Sequence, residues 1–180
     1  MVSLEERRDA LEAQVRVAFP KLAQKKRPPN LVIRADYIWA STNVSDRFQD
    51  LTSQQAIEVF EKETHWMTDV DYIHFCFPSK TFWYYLPAFL IALIHVPLQY
   101  PGYTLSWFWE DLYQEREHFT YPQDQVIIAV FEWLTDYLRA MSESDPAGLD
   151  SDTFETYALK WMLVADQKKV DLGRKYFPRR

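Results

Sequence analysis

Glycine is almost missing from this 180-residue chain. Three occur, Gly102, Gly148 and Gly173, standing 46 and 25 residues apart. A phosphate-cradling loop needs glycines at close, fixed spacing so that the backbone can approach its ligand, and that class of site is excluded. Cysteine is reduced to Cys76, so no intramolecular disulfide can form. Its setting, Ile73-His74-Phe75-Cys76-Phe77, is apolar and predicts a buried, inert thiol; a nucleophile would need an accessible, electropositive pocket. No Ser stands in a Gly-flanked nucleophile elbow. A basic excess is missing too. Lys and Arg number 20 against 26 Asp and Glu, net −6, which argues against a general nucleic-acid binder because phosphate contacts demand a basic face. The start, Met1-Val2-Ser3-Leu4-Glu5-Glu6, carries acids where a secretion signal needs a basic and then an apolar stretch, and predicts a cytoplasmic protein.

What the chain has in quantity is aromatic surface. Seven Trp, eleven Tyr and twelve Phe make 30 residues, within an apolar fraction of 48% that excludes global disorder. The length suits one domain able to bury roughly 70% of its unfolded surface. Charge is unevenly placed. Residues 1–30 carry +3, residues 31–75 carry −5, residues 110–155 carry −10 and residues 156–180 carry +5, while residues 81–109 hold no Asp, Glu, Lys or Arg. An acidic middle thus lies between basic ends. It would attract and steer a cationic partner, although solubility alone also accounts for it.

Helical periodicity dominates. Ser3 with Glu6 forms a capping box, and Leu4, Leu11, Val15, Ala18 and Leu22 place a first helix over 4–19, ended by Lys25-Lys26-Arg27-Pro28-Pro29. That basic run resembles a nuclear address, but a solvated loop is the plainer reading. Leu31-Val32-Ile33 fits a short strand or a helix start, and residues 72–77 have strand propensity. Thr52 with Gln55 opens a helix carrying Ile57 and Phe60. Pro87 suits a helix's first turn, which places a buried helix over 87–95, with a turn at Pro101-Gly102. His95, Pro97 and Gln99 interrupt this apolar run before the ~20 residues a membrane span needs.

The clearest helix follows Tyr121-Pro122. Val126, Ile127, Val130, Phe131, Leu134, Tyr137, Leu138 and Met141 form its apolar stripe, leaving Asp124, Glu132, Asp136, Arg139 and Glu143 as the polar face. Residues 142–150 read as a linker. Asp152, with Glu155 three residues on, caps a last helix that turns Phe154, Tyr157, Trp161 and Val164 inward and stops near Gly173. The expected fold is mainly α, a single compact helical domain over 1–180 with at most a few short strands. Residues 1–30 form an N-terminal helix and a basic loop, and residues 174–180 a basic tail.

The stretch Phe82-Trp83-Tyr84-Tyr85-Leu86-Pro87-Ala88-Phe89-Leu90 resembles the signature of a family of small bacterial proteins of unknown function, an aromatic run ending in Tyr-Leu-Pro-Ala before an apolar helix. Trp66 upstream, and Gln123 with Val126, Ile127, Val130 and Phe131 downstream, are similar to it as well. The resemblance spans residues 60–138 and departs at Ser79-Lys80-Thr81, where the family commonly has a glycine. It implies a bacterial or phage origin and carries over no catalytic residue.

Two chemistries stand as candidates. The first is binding. Trp107-Phe108-Trp109 cannot all face a core from one helix, because successive side chains lie about 100° apart. With Glu110, Asp111 and Glu115 they form a candidate aromatic patch rimmed by acids, of the kind that dominates binding hot spots; the alternative is that they seal the core's edge. The second is metal. Asp71-x-x-His74 and Glu115-x-x-His118 have the carboxylate–histidine spacing of helical transition-metal sites, and Glu61, Glu110 and Asp111 are acids that could complete a set. In a chain this acidic, such spacings also arise by chance on a solvated face. The leading expectation is a non-enzymatic, acidic protein-interaction domain of immunity or antitoxin type, without a cofactor, binding a cationic protein. A metal-dependent enzyme using Glu115, His118, Asp71 and His74 is the alternative.

Overall fold

The computed structural model describes residues 3–20, 48, 51–62, 79–95, 112–113, 115–141 and 151–176. Five α-helices account for most of them: α1 (Leu4–Ala18), α2 (Ser53–Lys62), α3 (Ser79–His95), α4 (Tyr121–Met141) and α5 (Ser151–Tyr176). A 3-10 helix, Arg116–His118, precedes α4. No strand occurs among the described residues, and the expected possible strands at Leu31-Val32-Ile33 and residues 72–77 lie outside them. The mainly α fold class holds.

Local chemistry sets the helix starts. The Ser3 hydroxyl accepts from the Glu6 backbone N–H at 3.1 Å while the Ser3 N–H donates to the Glu6 carboxylate at 2.8 Å, closing the capping box that starts α1. Thr52 and Gln55 make the same reciprocal pair at 2.9 and 3.3 Å. At α4 the Thr120 N–H donates to the Gln123 side-chain oxygen at 2.9 Å, and the Gln123 amide donates to the Ala18 carbonyl at the end of α1, 3.2 Å away. One side chain therefore completes one helix start and one helix end.

The apolar run of α3 lies at the centre. Every residue from 85 to 94 is buried, and α2, α1 and α4 pack around it. α4 packs along α5 on one side and on α1 and α3 on others. Three neighbours explain why the burial of α4 exceeds the predicted stripe: Ile128 and Trp133 are buried along with Val126, Ile127, Val130, Phe131, Leu134 and Leu138. Trp133 also donates its indole N–H to the Leu4 carbonyl at 3.2 Å, pinning the start of α1. Each fully buried Val, Leu, Ile or Phe contributes about 1.5–3 kcal/mol. Half-exposed ion pairs such as Arg7–Asp136 (2.6 Å) add about 0–1 kcal/mol each, so apolar packing holds the bundle.

Three expectations need correction. α3 begins at Ser79, not near Pro87, and carries that proline in its interior. A proline there removes one intrahelical hydrogen bond, yet burial on all sides outweighs local propensity. α5 runs through Gly173 to Tyr176, since a glycine lowers helix propensity by only about 1 kcal/mol. Asp152 stands within α5, which starts at Ser151. Phe154, Tyr157 and Trp161 are buried as expected, and Val164 is half-buried. None of the helices among the described residues is long and apolar enough to cross a membrane.

Candidate functional site

Two polar clusters join helices far apart in sequence. The first lies where the 3-10 helix, α4 and α5 meet. Asp124 stands in the first turn of α4 and is completely buried. Its carboxylate accepts the Trp161 indole N–H at 2.9 Å and the Lys168 ammonium at 2.8 Å. Lys168 also donates to the carbonyls of Arg116 (2.6 Å) and Phe119 (3.0 Å), the former shared with the Phe119 N–H at 3.3 Å. Burial pushes the Asp124 carboxyl above its ordinary value, against the hydrogen bonds from Lys168 and Trp161 and the Lys168 charge. Around this pair, Trp161 meets Tyr113, Phe119 and Phe131 at centroid distances of 6.0, 5.5 and 6.2 Å.

This arrangement overturns the placement of Asp124 on the polar face of its helix. The residue turns inward because α5 supplies a cation and an indole N–H to meet it. One sequence signal was available. Tyr157, Trp161, Ala165 and Lys168 continue a single face of α5, and a lysine in line with a buried stripe calls for acceptors opposite it, without identifying the residue that supplies them.

The second cluster ties α1, α2 and α3. His95, the last residue of α3, places Nε2 2.9 Å from the Glu12 carboxylate and Nδ1 2.8 Å from the Glu61 carboxylate. Arg16 grips the other oxygen of Glu12 through Nε (2.8 Å) and Nη2 (2.6 Å) and reaches Gln54 of α2 at 2.6 Å. Burial of Glu12 opposes its ionisation, but the Arg16 hydrogen bond and charge, followed by those of His95, outweigh it and hold the carboxyl below its ordinary value. The two ring nitrogens point away from each other. The carboxylates therefore flank the imidazole and do not converge on a common point.

The remaining expected site residues divide simply. Glu115 and His118 do come together, 3.3 Å apart, at the short 3-10 helix, where His118 is 70% exposed. Trp83 lies edge-on to His118 at 6.1 Å and against Phe119 at 4.5 Å. Glu61 is engaged by His95. Trp107, Phe108, Trp109, Glu110, Asp111, Asp71 and His74 all lie outside the described residues. Among the described residues, no group of three or more His, Cys, Asp or Glu is arranged to hold a metal ion. Comparison of the chain with models of protein families, with curated proteins and with solved structures finds no match.

Proposed function

We propose that this chain is a non-enzymatic, acidic interaction domain that binds a cationic protein, in the manner of a cytoplasmic bacterial immunity or antitoxin protein. The observation that carries the reading is the charge of residues 110–155, where twelve acids face two bases. Glu117 and Glu132 present exposed carboxylates within this segment. Asp124 does not belong to the recognition surface, because Lys168 neutralises it inside the bundle. Glu115, Glu117 and Glu132 together with the acids at 110 and 111 form the rim that meets the partner, and Trp107, Phe108 and Trp109 supply its apolar anchor. Aromatic anchors within a charged rim divide the work of binding: the ring burial gives residence time and the charges give encounter rate.

The test is capture of a partner from bacterial lysate by the tagged chain, read by native mass spectrometry across a salt series. The expected result is a basic protein, held at low salt and released as the Debye length falls from ~10 Å at 0.1 M to ~3 Å at 1 M. Retention that does not respond to salt, or undiminished capture by a Glu117→Lys, Glu132→Lys variant, overturns the acidic rim. The same spectra report any bound iron, manganese or zinc. Metal lost in a His118→Ala variant would favour the metal-dependent alternative instead.

A further inference from the structure

We propose that His95 is a proton-operated tie between α1 and the α2–α3 pair, which opens on the α1 side when the imidazole loses a proton. The geometry demands two donors from one ring. Carboxylates without a proton only accept, and those of Glu12 and Glu61 lie 2.9 and 2.8 Å from opposite ring nitrogens. Only the doubly protonated imidazolium serves both. A neutral ring keeps one N–H and turns a lone pair toward the second carboxylate, replacing a charge-assisted hydrogen bond with repulsion.

Which bond opens follows from the surroundings. From α1 the ring faces Glu12, whose charge Arg16 already compensates through two hydrogen bonds. From α2 it faces Glu61, whose one ion pair among the described residues is with His95. α4 also packs on α3, but none of its charged groups is paired with His95: Asp124 is bonded to Lys168, Asp136 to Arg7 and Arg139 to Glu155, while Glu132 is exposed. The remaining proton therefore stays on Nδ1, beside the less compensated carboxylate of Glu61, and the Nε2–Glu12 bond is lost. α2 and α3 remain joined through Glu61 and their apolar seam, where Ala56 and Ile57 are buried. Arg16 still reaches Gln54 at the start of α2, so among the described residues α1 keeps a polar link to α2 away from the released bond. The tie sits at the ends of α2 and α3, so its release loosens the base of the bundle while the α4–α5 seam is left alone.

The experiment uses the full chain. Ring nitrogen shifts of His95 and amide protection in the last turns of α1 and α3 are followed from pH 5 to 8, with protection corrected for the intrinsic pH dependence of exchange. Two protonated ring nitrogens are expected on the acid side and the Nδ1–H tautomer on the alkaline side, with protection at the α1–α3 seam falling about tenfold between them. Glu12→Gln keeps the side chain's shape, accepts from or donates to either form of the ring, and should remove the pH dependence of that seam; His95→Gln should do the same. An Nε2–H tautomer at alkaline pH overturns the direction of opening. Seam protection that is independent of pH in the folded parent chain, or a pH dependence unchanged in both variants, overturns the tie itself.

Discussion

The Trp161 indole N–H donates to the Asp124 carboxylate at 2.9 Å, across the seam between α4 and α5. The two residues stand 37 positions apart, and Trp161 is 1% exposed while Asp124 is not exposed at all. A buried carboxylate of this kind requires a counter-charge, because an isolated ion in a low-dielectric interior costs several kcal/mol. Lys168 provides it at 2.8 Å, with 22% of its side chain still reaching solvent.

The pair is unequal in what its loss should cost. Lys168→Met removes the cation, leaves a buried carboxylate without its counter-charge and takes one donor from each of the Arg116 and Phe119 carbonyls, so a loss of about 3–5 kcal/mol is expected at neutral pH. Asp124→Asn keeps an acceptor for Trp161 and leaves Lys168 its two carbonyl partners, so a smaller loss, about 1–2 kcal/mol, is expected. The double variant should be more stable than Lys168→Met alone. Guanidinium unfolding of the three variants checks the order, and equal losses would show that Asp124 is not dependent on Lys168.

Two carboxylates should shift stability with pH in opposite senses. Glu12 lies below its ordinary value in the folded chain, so its contribution is present above that value and is lost as pH falls through the folded one. Asp124 lies above its ordinary value, so its contribution is full below that value and is lost as pH rises through the folded one. Relative to the parent, Glu12→Gln should therefore lose its disadvantage on acidification, whereas Asp124→Asn should be at its greatest disadvantage there. Urea midpoints taken from pH 3 to 7 read both slopes, and parallel curves for parent and variants would refute the assignments.

Gln123 offers a division of labour that a substitution can separate. Gln123→Ala removes both the acceptor for Thr120 and the donor to Ala18, for an expected loss of about 1–2 kcal/mol. Gln123→Glu keeps the acceptor at the start of α4 but turns a carboxylate toward the Ala18 carbonyl. The start of α4 should then keep its amide protection while the end of α1 loses it. Hydrogen exchange resolves the two ends separately.

The outer face of α5 should tolerate change that its inner face does not. Leu159 and Leu163 are 57% and 73% exposed, and Leu163→Gln should change stability by no more than about 0.5 kcal/mol. Trp161→Ala, two positions away, removes a buried ring that meets three others and should cost about 3–5 kcal/mol. Thermal unfolding of both variants fixes the register of the helix, and comparable losses would place Leu163 in a contact.

Much of the fold was legible because its signals are local. The capping boxes at Ser3–Glu6 and Thr52–Gln55 use residues three apart, and both form as the spacing predicts. The apolar period of α4 and the inward set Phe154, Tyr157 and Trp161 likewise belong to single helices. Where expectation failed, the deciding term came from elsewhere in the chain. Pro87 reads locally as a helix start, yet burial against α1, α2 and α4 carries the helix back to Ser79. Of the candidate chemistry, the Glu115–His118 contact was legible from its spacing, and the two clusters that join the helices were not.

By itself the sequence determined that the chain folds as helices, where α1 and α2 begin, and that the apolar run following Pro87 is a buried helix. Capping and amphipathic period are short-range, so no partner element is needed to read them. Tertiary structure alone decided that Asp124 is internal, that Lys168 neutralises it from 44 positions away, and that His95 lies between carboxylates 83 and 34 positions distant. The physical reason is that the cost of a charge depends on what surrounds it. Composition counts Asp124 among the acids of the surface, and only the packing of α4 on α5 gives it a cation and takes it away from water. The scarcity of glycine points the same way: with few flexible breaks, α5 runs 26 residues without interruption and carries Trp161 and Lys168 to one carboxylate on a single rigid face.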